Sequence, residues 1–245
     1  MPEPKRVTAV FFDLGGTLFH HLPSTHTSEN LLRVVRELSG AAEHTDAHIV
    51  ATYRTMRRLV ESEALTSAFY MHRRLVADAF MRTLRALNLR GNHLTTEFCD
   101  GQALAVTEHL QLRDDARSTL RALRSAGIYT AIVSNIDDNY IEPLLRSHAL
   151  HELFDHCLSS QQARSCKPHT QIFSHALNAS GHAPANVLFV GDSYHHDVVG
   201  AQRMGMMAAW LTVDDPQPQQ LQEDFQIQSL SELPGLVDGE RLHEA

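Results

Sequence analysis

The chain has 245 residues, 43% hydrophobic and 20% charged, the balance of an ordinary globular protein large enough to bury a sizeable core. A formal net charge of −8 argues against a general nucleic-acid or anionic-membrane surface, while leaving room for a local cationic pocket. No apolar run reaches the length of a membrane span and the N-terminus lacks a signal-peptide core, so no membrane partner and a cytoplasmic setting are expected.

In chain order, Val10-Phe11-Phe12 runs straight into Asp13, followed by Leu14, Gly15, Gly16 and Thr17. An apolar run bounded by a glycine turn reads as a buried strand, central in a parallel sheet. Asp13 then lies at the carboxyl end of that strand, where open α/β sheets place their ligands. Taken alone, the stretch is equally a buried strand with a turn aspartate. From about Ser28 to Gln111 helical periodicity takes over. Leu31, Leu32, Val34, Val35 and Leu38 give one apolar face, with Ser28 as cap and Gly40 beyond the end. Ile49, Val50, Tyr53, Met56, Leu59 and Val60 give a second, and Leu75, Ala79, Phe80, Leu84 and Leu87 a third. A fourth helix, from Glu97 to Leu110, carries Leu104 and Leu110. The pattern predicts a helical bundle inserted after the first strand. Its arginines (Arg54, Arg57, Arg58, Arg73, Arg74) form a solvated face from which one or two could reach a substrate anion.

From about Arg113 onward helix and strand alternate. Asp114 or Asp115 starts a helix that Gly127 ends, and Ile128 to Val133 is a strand running into Ser134-Asn135. A helix follows through Ile141, Leu144 and Leu145, with Pro143 expected in its first turn. Phe154 to Leu158 is a short strand; polar residues lead to Lys167-Pro168 and a helix through Ile172 to Leu177. Val187 to Val190 is a strand ending in Gly191-Asp192-Ser193, and the next helix carries Asp197, Ala201 and Met204. Met206 to Leu211 is another strand, Asp214 to Gln222 an exposed loop, Phe225 to Ile227 an edge strand and Leu230 to Val237 a terminal helix or turn. The alternation predicts an α/β fold, a doubly wound parallel-sheet Rossmann-like core over residues 1–20 and 111–245, with a helical domain at 21–110.

Cys99, Cys157 and Cys166 lie far apart without CxxC spacing, which argues against a disulfide framework or structural zinc. The pairs His20-His21 and His195-His196 are adjacent, but most of the 17 histidines are scattered at no ligand spacing.

Asp13, Ser134 and Asp192 thus fall at strand ends on one edge of the sheet, joined by Lys167 and Asp197. In this order and context the motifs Phe12-Asp13-Leu14-Gly15-Gly16-Thr17, Val133-Ser134-Asn135, Cys166-Lys167-Pro168 and Gly191-Asp192-Ser193 with Asp197 resemble those of the haloacid dehalogenase-like hydrolase superfamily. The resemblance covers essentially the whole chain and implies a helical cap domain inserted after the first motif. It implies a hydrolase acting on a small phosphorylated metabolite, with Asp13 as the nucleophile that forms an aspartyl-phosphate. Mg²⁺ would be held by Asp13, the backbone carbonyl of Gly15, and Asp192, with Asp197 in support. Thr17, Ser134, Asn135 and Lys167 would bind the phosphoryl group, and Lys167 would also orient Asp13. The cap would exclude water and read the leaving group.

One position departs from the pattern. Two residues after the nucleophile the family usually carries a second aspartate, the general acid, and here it is Gly15. The metal-binding carbonyl is kept and proton transfer is lost, a contribution typically worth about 10²–10⁴ in rate. His20, His21 or a cap residue are the candidates to replace it. Gly15 also motivates two alternatives, a non-catalytic phospho-ligand binder and a metal-independent 2-haloacid dehalogenase; Asp192 counts against the latter, which does not use it.

Overall fold

A computed structural model describes residues 6–21, 24–212 and 224–238; the loop expected at 214–222 lies outside them. Strand β1 (Ala9–Phe12) is followed by α1 (Ser24–Val35), α2 (Asp46–Ala64), α3 (His72–Ala86) and α4 (Thr95–His109). Then come α5 (Ala116–Ser125), β2 (Tyr129–Ser134), α6 (Asp138–Ser147), β3 (His156–Ser159), α7 (Ser160–Ala163) and α8 (Thr170–Ser180). The chain continues through β4 (Val187–Gly191), α9 (Val199–Gln202), β5 (Met207–Leu211), β6 (Phe225–Ile227) and α10 (Leu233–Val237). Packing divides the chain into two units, one of Met1–His21, Gln111–Asn135 and His148–Ala245, the other of Leu22–Leu110 and Ile136–Ser147.

The first unit is a six-stranded, all-parallel sheet in the order β3-β2-β1-β4-β5-β6, flanked by helices. Parallel strands covered on both faces need apolar residues at every position, and β1 and β4 are buried throughout. Phe11, Val133, Ile172, Phe173, Phe189 and Trp210 form the centre of its core. The order runs outward from β1 in both directions, so the reversal point lies between β1 and β4. Ligands of doubly wound sheets bind beyond the carboxyl ends of the strands at this point. Phe12 pairs with Ile132 on one side and Val190 on the other, and the Asp13 N–H donates to Val190 O at 2.9 Å. The register therefore brings the ends of β1, β2 and β4 to one level.

The second unit is helical, with a core of Leu31, Val34, Val35, Ile49, Phe80, Leu84 and Phe98. The Phe80 and Phe98 rings stack at 4.3 Å between centroids. Sequence periodicity misplaces several of its details. Helix α1 begins at Ser24, so Ser28 is inside the helix and does not cap it; Gln102 of α4 donates to Thr27 O in the added turn at 3.0 Å. Leu59 and Leu104 are exposed, and α4 instead buries Phe98, Cys99, Gln102 and Ala105. A Cβ at Gly101 would lie 2.2 Å from Asn30 Oδ1, so the Asn30 side chain, whose Nδ2 donates to Phe98 O at 3.0 Å, keeps its place beside a glycine. Of the arginines, Arg57 pairs with Glu61 at 2.6 Å and Arg73 with Asp100 at 2.8 Å, while Arg54, Arg58 and Arg74 are exposed.

Residues 136–147 fall in the 111–245 range that alternation assigns to the core, yet they group with the helical unit. Asp137 supplies a physical reason. No side chain of its own segment caps α3, and the fully buried Asp137 carboxylate accepts the N–H groups of His72 at 2.9 Å and Arg73 at 2.7 Å. Helix α6 then packs against α4. Pro143 lies inside α6 and not in its first turn, so the helical bond forgone is the one to Asn139.

Candidate active site

Each strand end delivers one polar group because an apolar run stops there and a turn begins. Asp13 follows β1, Ser134 ends β2, and Asp192 follows Gly191 at the end of β4. After Asp192 the backbone makes a π turn over Tyr194–Val198, where the sequence predicts ordinary helix, and this turn carries Asp197 inward. The Ser193 N–H donates to Asp197 Oδ2 at 3.0 Å. A Cβ at Gly191 would sit 2.2 Å from the same oxygen, so only glycine leaves room for the carboxylate.

Lys167 reaches the cluster from the loop before α8. Its buried Nζ donates to Asp13 Oδ1 at 2.6 Å and to Asp197 Oδ1 at 2.7 Å, and lies 5.2 Å from the centre of the Phe189 ring. Burial alone would depress the lysine pKa, but the two carboxylates override it and hold the ammonium charged, above its ordinary range. Burial pushes Asp197 the other way, upward, against the pull of Lys167. Removing the lysine would strand two buried carboxylates. Lys167→Met is therefore expected to destabilise the protein by about 3–5 kcal/mol, read as a shift in the denaturant midpoint.

Asn135 is expected among the phosphoryl-binding residues; its side-chain amide is used at both ends by the main chain of Lys167. Asn135 Nδ2 donates to Lys167 O at 3.0 Å and the Lys167 N–H donates to Asn135 Oδ1 at 2.7 Å. What the asparagine side chain does here is fix the lysine.

Asp192 is held from three sides. Thr17 Oγ1 donates to its Oδ1 at 3.2 Å, His21 Nε2 lies 3.3 Å from its Oδ2, and Trp210 Nε1 donates to its carbonyl at 2.9 Å. Burial works to raise this carboxyl, but His21, Lys167 and Thr17 together hold it below the ordinary range. Gly16 turns at φ +85° directly beneath it, and a Cβ there would come within 2.2 Å of Asp192 Oδ2. Gly15 is different, since a Cβ at that position meets nothing within 4 Å.

Ligand oxygens of Asp13, Asp192 and Asp197 all lie within 4.8 Å of one another. Three carboxylates against the one ammonium of Lys167 form an acidic, all-oxygen donor set of the kind hard divalent cations take. His195 and His196 are not part of this group; His195 is exposed, and His196 Nδ1 lies 3.0 Å from Ser193 Oγ. None of Cys99, Cys157 and Cys166 is in a disulfide. Among the described residues, no helix is long and apolar enough to cross a membrane.

The fold is a doubly wound α/β sheet with a carboxylate–lysine cluster at its reversal point. Residues 7–205 match the haloacid dehalogenase-like hydrolase family, and the chain belongs to it. It is 32% identical over 150 residues to "Haloacid dehalogenase-like hydrolase domain-containing protein 3" of Danio rerio, covering 60% of this chain and 59% of the relative. It is 28% identical over 202 residues to a phosphoglycolate phosphatase of Pasteurella multocida, covering 82% and 84%. A solved dehalogenase structure superposes with a TM-score of 0.68 at 26% identity, over 94% of this chain and 96% of that one. The chain spans only 42% to 59% of the length of the first curated relatives it matches.

Proposed function

We propose that this hydrolase is a Mg²⁺-dependent phosphatase or phosphotransferase that acts on a small phosphorylated metabolite through an aspartyl-phosphate on Asp13. The observation that carries this reading is Asp192. Nucleophilic displacement by Asp13 with Lys167 as its partner would serve a dehalogenase equally well; a third carboxylate within 4.8 Å of Asp13 and Asp197 serves a cation. Asp13, the Gly15 carbonyl, Asp192 and Asp197 would hold Mg²⁺, which when bound offsets the negative charge of the phosphoryl oxygens.

Lys167 holds Asp13 Oδ1, so Oδ2 is the oxygen that attacks phosphorus in line. The Oδ2–P bond forms as the bond from phosphorus to the leaving oxygen breaks, and that oxygen departs with the electron pair. Lys167 and Ser134 bind the phosphoryl oxygens, and Thr17 steadies the loop. Water, or an acceptor alcohol in a transfer reaction, then attacks phosphorus and frees the Asp13 carboxylate. With Gly15 in place of the usual acid, leaving groups that depart without a proton are favoured: aryl and acyl phosphates over alkyl esters.

The second reading is the dehalogenase, favoured by Gly15 and by the likeness to the solved dehalogenase. There Asp13 displaces halide from carbon 2 of a haloacid and the ester is hydrolysed, with no task for Asp192. A panel of acyl, aryl, sugar and nucleotide phosphates together with 2-haloacids, run with Mg²⁺ and with a chelator, separates the readings. Mg²⁺-dependent phosphate release is expected. Chelator-insensitive halide release would establish the dehalogenase, and phosphate-ligand binding without turnover on any substrate would leave a non-catalytic binder.

A further inference from the structure

Among the described basic residues, Arg113 is buried, with only 6% of the residue exposed, and it has no part in this chemistry. Guanidinium groups are seldom buried this far without a specific partner. The backbone around Arg113 runs antiparallel to the segment that follows the first motif. Phe19 bridges to Leu112, the His20 N–H donates to Gln111 O at 2.9 Å, and the Arg113 N–H donates to Leu18 O at 2.9 Å. From this anchored position Arg113 Nη2 donates to the Gly16 carbonyl at 2.7 Å.

That carbonyl belongs to the peptide joining Gly16 to Thr17, and Thr17 Oγ1 donates to Asp192 Oδ1 at 3.2 Å. Guanidinium, glycine peptide, threonine hydroxyl and acidic carboxylate thus form one continuous line. The loop in between turns at φ +85° on Gly16, and the Gly16 N–H donates to Phe19 O at 2.7 Å. A side chain-free turn of this kind has little of its own to hold one orientation. A charge-assisted bond from a buried, planar donor does hold it.

We propose that Arg113 is a positioning residue that fixes the Gly16–Thr17 peptide, and through it Asp192 and the Gly15 carbonyl, in the arrangement that binds the divalent cation. This rests on the reading of Asp13, Asp192 and Asp197 as a cation site. Groups hydrogen-bonded to metal ligands, as Thr17 is to Asp192, commonly set affinity by about 10–100-fold, and Arg113 acts by holding the peptide that carries Thr17.

The test is calorimetric titration of Mg²⁺ into the full chain and into Arg113→Met and Arg113→Lys, with circular dichroism and melting curves for each. Arg113→Met is expected to bind Mg²⁺ about tenfold or more weakly. Arg113→Lys keeps the charge on a flexible stem without the rigid fork, and its affinity is expected to fall between that variant and the wild type. A role confined to folding would lower the melting temperature and leave the Kd of the folded protein unchanged. Wild-type affinity in either folded variant overturns the proposal, so Arg113→Lys decides it even where Arg113→Met does not fold. A wild-type chain that takes up no Mg²⁺ overturns the cation site itself, and the proposal with it.

Discussion

Asp13→Asn is expected to abolish turnover of the best phosphate substrate, a fall on the order of 10⁴-fold or more, while the protein stays folded. The amide is nearly the same size as the carboxylate, but it does not form an acyl-phosphate. Lys167 keeps its bond to Asp197 at 2.7 Å and so retains a buried counter-charge. The effect thus falls on the chemical step, and the pair of measurements that checks it is kcat beside a melting curve. Activity within tenfold of wild type, in a protein that melts normally, would remove Asp13 from the mechanism. Loss of activity together with loss of the fold would instead point to the buried charge network that Lys167 holds together.

Gly15→Asp is expected to act in the opposite direction and only on some substrates. A Cβ at this position meets nothing within 4 Å, and no left-handed backbone opposes a side chain there, so the carboxyl can be added without displacing a neighbour. A general acid gains most where the leaving group is a poor one. Turnover of an alkyl phosphate should rise by about 10²–10⁴, while an aryl phosphate, whose phenolate leaves unaided, should change little. Parallel rate measurements on the two esters check this directly. An equal response in both would show that the missing aspartate does not limit the reaction. His21, 3.3 Å from Asp192 Oδ2, is then a group to test as its replacement.

How much of this was readable in the sequence depends on how local each feature is. Asp13, Ser134 and Asp192 stand out because each follows an apolar run that can only be a buried parallel strand, and the run itself announces the strand end. Lys167 and Asp197 could be joined to that edge by their order in the chain, but nothing in the residues around them says that their side chains meet 2.7 Å apart. The side-chain bonds of Asn135 were hidden for the same reason. A polar residue after a strand end looks like a ligand group, and only the fold shows its amide closing on the main chain of Lys167. Arg113 and Asp137 were not singled out at all. One reaches the Gly16 carbonyl and the other caps α3, both across long stretches of chain for which sequence carries no spacing rule. In the helical unit, Leu104 shows the limit of periodicity. A helix whose inner face is built from Phe98, Cys99, Gln102 and Ala105 has too little apolar contrast for its leucines to mark the buried side.

The central claim is that Asp13 is a phosphoryl acceptor beside a divalent-cation site. The most direct measurement is ¹⁹F NMR of the protein with Mg²⁺ and beryllium fluoride, which mimics a phosphoryl group on a carboxylate. The account predicts bound fluoroberyllate signals in the wild type that disappear in Asp13→Asn and on addition of a chelator. Signals that persist in Asp13→Asn, or a wild-type protein that gives none, would contradict it.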